Sequence, residues 1–112
     1  MKRIEAIIRP AKVSDVCAAL EKAGHSGVTI SEVEGRGRQK GWRHQVRGFV
    51  YQDKTMARSR VEVVTRDEDV DSIIRAIRDA ALTGEAGDGM IFIHEMATAI
   101  RIRTNECGVA AL

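Results

Sequence analysis

Residues 34–55, EGRGRQKGWRHQVRGFVYQDKT, constrain the fold more than any other stretch. They have neither a helical period nor a clean alternation, yet strand-like segments flank them at 28–33 and 59–65. Loops between paired strands commonly hold about two to five residues. The chain must therefore accommodate a long excursion between two strands. That excursion carries Arg36, Arg38, Lys40, Arg43 and Arg47, with no acid between Glu34 and Asp53. A basic, Gly-rich excursion suits an anion to hold or a partner to touch; a solvated insertion is the plain alternative.

The length of 112 residues suits one domain with a modest core, which association with further copies would stabilise. The net charge is only +2, so positive charge is a local matter and the composition is not that of a polyanion binder. Trp42, Phe49 and Tyr51 lie in the excursion and only Phe92 lies elsewhere, so Ile, Val, Leu and Ala must build the core. Cys17 falls on the apolar face of a helix, and Cys107 near the end of the chain; neither has ligand-like neighbours at metal spacing. No window is apolar enough for a signal peptide or a membrane span, so a reduced, cytoplasmic setting is the default expectation.

Taken in order, residues 3–9 alternate, with Ile4, Ala6 and Ile8 on one face, and read as a half-buried strand that Pro10 ends. Ser14 is the expected N-cap of a first helix whose stripe is Val16, Cys17, Leu20 and Ala23, and Gly24 stops it. A β-branched run at 28–33 gives the second strand, and Arg60 to Thr65 the third. Asp67 is the expected cap of a second helix with Val70, Ile73, Ile74 and Ile77 inward, and Arg75 and Arg78 outward. Ile91 to Ile93 reads as a fourth strand. The run 97–103 reads as an extra one, with Arg101 and Arg103 on one face. The tail 105–112 is disordered or packed on a neighbour. This order predicts an α+β, ferredoxin-like βαββαβ layout. Two helices would cover one sheet face, and the other, holding Ile7, Glu62 and Val64, would face sister subunits in a closed ring.

Three patches suit a polyphosphate. The segment 83–89, TGEAGDG, offers glycines that permit close approach to backbone N–H groups, although a plain helix-to-strand turn explains it equally. It is neither a P-loop nor a dinucleotide fingerprint. Arg101 and Arg103 present two rigid donor forks, or a solvated strand face. Gly35 to Lys40 adds flexible backbone and three cations. Enzyme chemistry finds no support: His25, His44 and His94 lack ligand spacing, and no nucleophile stands beside an evident base. Asp67, Glu68, Asp69 and Asp71 read as helix-start acids.

The pieces MKRIEAIIRP, EGRGRQKG, Arg47-Gly48 leading to Tyr51, VEVV at 61–64, TGEAGDG followed by IFI, and AIRIRT at 99–104 occur together. In that order and spacing, the chain resembles the PII nitrogen-regulatory signal proteins, the GlnB/GlnK-like group, over essentially its whole length. The resemblance implies a non-enzymatic, cytoplasmic signal-transduction protein. It would be a homotrimer of single 1–112 domains, with a T-loop-like excursion at 35–57, a B-loop-like phosphate loop at 82–90 and a C-terminal region at 101–112. ATP or ADP would bind between subunits. Gly35, Gly37, Arg38 and Gln39 would contribute from the T-loop base, and Gly87, Asp88 and Gly89 would cradle phosphates with Arg101 and Arg103. Ile7, Thr29, Glu62 and Val64 would complete the nucleotide contacts. Gln39 would be a ligand of Mg²⁺ when 2-oxoglutarate binds, with Lys40 and Arg58 near its carboxylates. Tyr51 matches a position uridylylated in some members. The loop would regulate an enzyme, transporter or transcriptional regulator, with no direct nucleic-acid contact and no membrane insertion.

The sequence departs from that pattern at Met90, where the family usually has lysine after GDG. A thioether is only a weak acceptor and cannot supply a cation. Trp42, Arg43 and His44 also replace a milder stretch, Phe49-Val50 precedes Tyr51, and Arg58 and Arg60 stand where lysines are usual. The alternative expectation is a PII-like sensor with an altered ligand (AMP, bicarbonate or a metal) that controls a transporter or other metabolic target.

Overall fold

In a computed structural model, the backbone is described for residues 1–36, 43–46, 49–52 and 55–112, and the side chains for 1–36 and 55–112. The elements are β1 (Lys2–Ile8), α1 (Val13–Lys22), β2 (Thr29–Gly35), β3 (Arg43–Val46), β4 (Phe49–Gln52), β5 (Met56–Thr65), α2 (Val70–Ala81) and β6 (Met90–Glu95). Strands β2, β5, β1 and β6 form one antiparallel sheet in that order, while β3 and β4 pair with each other. Setting that pair aside, the chain runs βαββαβ with its first and third main strands central, the ferredoxin-like arrangement.

Alternation in β1 and β5 decides which face is dry. Ile4, Ala6, Ile8, Val61 and Val63 point to one side and are buried, together with Val16 and Leu20 of α1 and Val70, Ile73, Ile77 and Ala81 of α2. Cys17 is only partly buried, and Ala23 is exposed. The opposite face carries Glu5, Ile7, Arg60, Glu62, Val64, Met90, Phe92 and His94, all partly or largely exposed. On it, Arg60 Nε lies 3.4 Å from Glu5 Oε1, and His94 Nε2 lies 3.5 Å from Glu5 Oε2. Both nitrogens, and Arg3 Nε, are buried without hydrogen-bond geometry to any partner among the described residues.

Four sequence expectations need correction. Ser14 does not cap α1, because a 3₁₀ turn at Pro10–Lys12 leads straight into a helix that begins at Val13. Asp67 does not cap α2; it opens a second such turn, Asp67–Asp69, and its carboxylate pairs with the Met1 amine at 2.6 Å. Both helices are thus entered by a tightened turn that needs no side-chain cap. The third main strand begins earlier than expected, at Met56.

The largest correction concerns 97–103, which is not a strand. Ile100 makes one isolated bridge to Cys107, and the intervening residues turn back on themselves. The Asn105 amide donates to the Arg101 carbonyl at 2.8 Å and the Arg101 amide to the Glu106 carbonyl at 2.9 Å. Asn105 adopts φ 61°, a left-handed conformation that asparagine tolerates better than most residues. Arg101 and Arg103 therefore do not share a strand face. The tail folds back on Arg101, whose Nη2 donates to the carbonyls of Ala111 and Leu112 at 3.1 and 3.3 Å.

Candidate functional site

The segment after α2 is a closed loop built on one carboxylate. Asp88 Oδ2 accepts the amides of Thr83 and Gly84, each at 2.9 Å. Its Oδ1 accepts the Thr83 hydroxyl and, at 3.4 Å, Arg9 Nε. The Thr83 hydroxyl, with its amide, is the main reason the Asp88 carboxyl is held well below the usual carboxylate range; Gly84 and Arg9 add to it. The Asp88 side chain is thus turned into the loop. The resemblance placed Asp88 among the phosphate-cradling residues; in the structure its side chain holds the loop's shape.

Glycine is required where this loop meets the sheet. Gly87 and Gly89 have φ 98° and 104°. A Cβ on Gly89 would lie 1.7 Å from the carbonyl oxygen of Ile7. Successive residues of left-handed and ordinary conformation let backbone amides converge on one anion.

A carboxyl whose folded pKa is depressed contributes stability above its unfolded pKa and loses it as pH falls through the lower, folded value. The loop's amide protection, corrected for intrinsic exchange, should therefore stay constant from about pH 5 to 8. Asp88→Ala should lower protection at 83–89 throughout that range while α2 keeps its own; hydrogen exchange measures both.

The remaining predicted residues fall into two groups. Thr29, Glu62 and Val64 line a cleft of about 480 Å³ with His25, Arg66 and Leu112. Thr29 and Glu62 are cross-strand partners in the β2–β5 register. At the other end of the sheet lie Ile7, Gly89, Asp88, Gly35 and Arg58. Ile7 meets Gly89 through its carbonyl, and a Cβ on Gly35 would sit 3.2 Å from Arg58 Cγ. Arg58 itself donates to its neighbour's carbonyl at Ala57, at 2.9 Å. Arg101 belongs with the first group through Leu112; its Nε is buried and unpartnered among the described residues, and Arg103 is exposed. Gly37, Arg38, Gln39 and Lys40, and the side chain of Tyr51, lie outside what is described.

Thr29 lies in edge strand β2 and Gly89 beside edge strand β6, three strand spacings or roughly 14 Å apart across the sheet and further apart once their offset along the strands is added. Arg9 and Thr83 are residues that sequence reasoning missed. The spacing from Thr83 to Asp88 suggests a side-chain-closed loop, but nothing local in the sequence pairs Arg9 with a partner 79 positions away.

A βαββαβ sheet with one dry face, a glycine loop at one end and a cleft at its edge defines a ferredoxin-like α+β domain, and sequence comparison narrows the class. The profile of nitrogen regulatory protein P-II matches residues 1–106. The chain is 46% identical over 112 residues to nitrogen regulatory protein P-II of Rhizobium meliloti, covering all of both chains. It is 47% identical to that of Nostoc punctiforme, again over all of both. Nitrogen regulatory protein P-II 2 of Methanothermobacter thermautotrophicus is 46% identical, over all of this chain and 97% of its own. The chain belongs to the P-II nitrogen regulatory family, and as such it is a signal-transduction protein rather than an enzyme. No described helix is long and apolar enough to cross a membrane.

Proposed function

We propose that the chain forms a homotrimer that binds ATP or ADP between adjacent copies and reports the bound state to a partner protein through the excursion at 35–57. The observation that carries this reading is the separation of the 83–89 loop from the cleft within one chain. The loop closed by Asp88 suits phosphate oxygens, and the cleft at Thr29, Glu62 and Val64 suits a base and ribose, yet they lie at different ends and edges of the sheet. A neighbouring copy supplies the missing half to each. The open sheet face favours such packing, since its buried Arg3, Arg60 and His94 nitrogens need hydrogen-bond partners.

The donor set fits a polyphosphate. The Asp88 charge is already compensated by four donors, so it does not repel the ligand. On the strength of the resemblance, Arg101, which holds Leu112 of the cleft, and Arg103 would add cationic forks. Gly37 and Arg38 join at the base of the excursion on the strength of the resemblance. Gln39 would hold Mg²⁺, and Lys40 and Arg58 would receive 2-oxoglutarate carboxylates. Bound metal would offset phosphate charge there. Target proteins would then be sorted by the excursion's conformation, with Tyr51 as the modification point on it.

Calorimetry of ATP and ADP binding, each with and without Mg²⁺ and 2-oxoglutarate, tests the reading. Micromolar ATP binding that tightens with 2-oxoglutarate is the expected result; no adenine-nucleotide binding would sink it. Met90, 62% exposed beside the loop, favours a second reading in which the altered ligand is AMP, bicarbonate or a metal. Tight AMP binding without any 2-oxoglutarate effect would select that alternative.

A further inference from the structure

We infer that Arg9 is a positioning residue that fixes the anion-receptive shape of the 83–89 loop from outside it; the consequence for nucleotide affinity rests on the reading above. Arg9 follows Ile8, the last residue of β1. Its guanidinium makes two contacts to the loop: Nη2 donates to the Ala86 carbonyl at 2.7 Å, and Nε to Asp88 Oδ1 at 3.4 Å. One rigid fork thus joins the loop's backbone to the carboxylate that closes it.

The fork is delivered from a fixed point. Pro10 restricts Arg9 to extended backbone, and φ −63°, ψ 136° fall in that region. The Arg9 carbonyl is held by the Lys12 amide at 2.9 Å. Two residues earlier, the Ile7 carbonyl abuts Gly89. The end of β1 therefore touches the loop at Ala86, Asp88 and Gly89, spanning its second half. The Arg9 and Asp88 side chains are 23% and 22% exposed, which shields the pair from much of the solvent screening that weakens surface pairs. Both contacts end on the loop itself, so Arg9 acts on the loop's shape. Lysine cannot replace it fully, because one ammonium lacks the planar fork that serves two acceptors in fixed geometry.

The test compares wild type, Arg9→Gln and Arg9→Lys by hydrogen exchange of the ligand-free protein and by calorimetry with adenosine, ADP and ATP. Arg9→Gln should speed exchange at 83–89 by about tenfold and weaken ADP and ATP by about tenfold, the scale of one lost charge-assisted contact. Adenosine affinity should change by less than about twofold, a split that a general loss of structure would not produce. Arg9→Lys should fall between the two and keeps the test open if the glutamine variant fails to fold. Unchanged loop exchange in Arg9→Gln overturns the inference whatever the protein binds. Equal weakening of adenosine and ADP likewise overturns it, since the residue would then act on the whole fold. Failure of wild type to bind any nucleotide overturns the nucleotide reading alone and leaves exchange to decide on Arg9.

Discussion

Gly89→Ala is expected to destabilise the protein by at least about 3 kcal/mol and to abolish the nucleotide binding proposed above. Two effects combine. The backbone φ of 104° is one that L side chains rarely adopt, and the new methyl would lie 1.7 Å from the Ile7 carbonyl oxygen. The obstacle is backbone in the middle of a four-stranded sheet, so it cannot rotate aside as a flexible side chain would. Gly84→Ala is the internal control. Its φ is 88°, but an added Cβ meets nothing within 4 Å, so it should cost only about 1 kcal/mol. Urea denaturation of both variants separates clash from conformational strain. Equal losses would show that the contact with Ile7 yields freely.

Met90→Lys is expected to tighten ATP binding by about tenfold, and ADP by less, with little change in stability. Met90 directly follows Gly89, is largely exposed, and is the register partner of Ile7. A lysine there would place an ammonium at the mouth of the 83–89 loop, where the proposed ligand's phosphates would lie. A hydrogen bond to a charged group is worth about 1.5–3 kcal/mol, and the site's exposure and salt argue for the lower end. Calorimetry at two ionic strengths checks this: the gain should shrink at high salt. Unaltered ATP affinity would show that the loop is not where the terminal phosphates lie.

The helices and central strands were legible because their periods are strong. Ile4, Ala6 and Ile8 alternate cleanly, and Val70, Ile73 and Ile77 repeat at helical spacing, so burial followed pattern. The β3–β4 pair was not legible, since 43–52 mixes charged, aromatic and apolar residues without alternation. The run 97–103 misled for the opposite reason. Ile100 and Ile102 alternate with two arginines as a strand would, yet Ile102 is fully exposed and the chain turns at Asn105. Alternation specifies a strand only where an edge is available to pair with it. In the site, the glycines of 83–89 were readable because their freedom is a local property. The bracing by Arg9 was not, because it depends on the β1–β6 register, which brings residue 9 beside residue 88.

The loop's internal closure has an evolutionary corollary. Asp88, Thr83, Gly84 and Arg9 satisfy one another, and Gly89 is fixed by the sheet, so the shape of the frame is independent of the residue that comes next. Position 90 can then drift among side chains of different charge without refolding cost. In the proposed sensor, such a frame would let single substitutions at position 90 change the fit of the ligand while the loop that receives it keeps its fold.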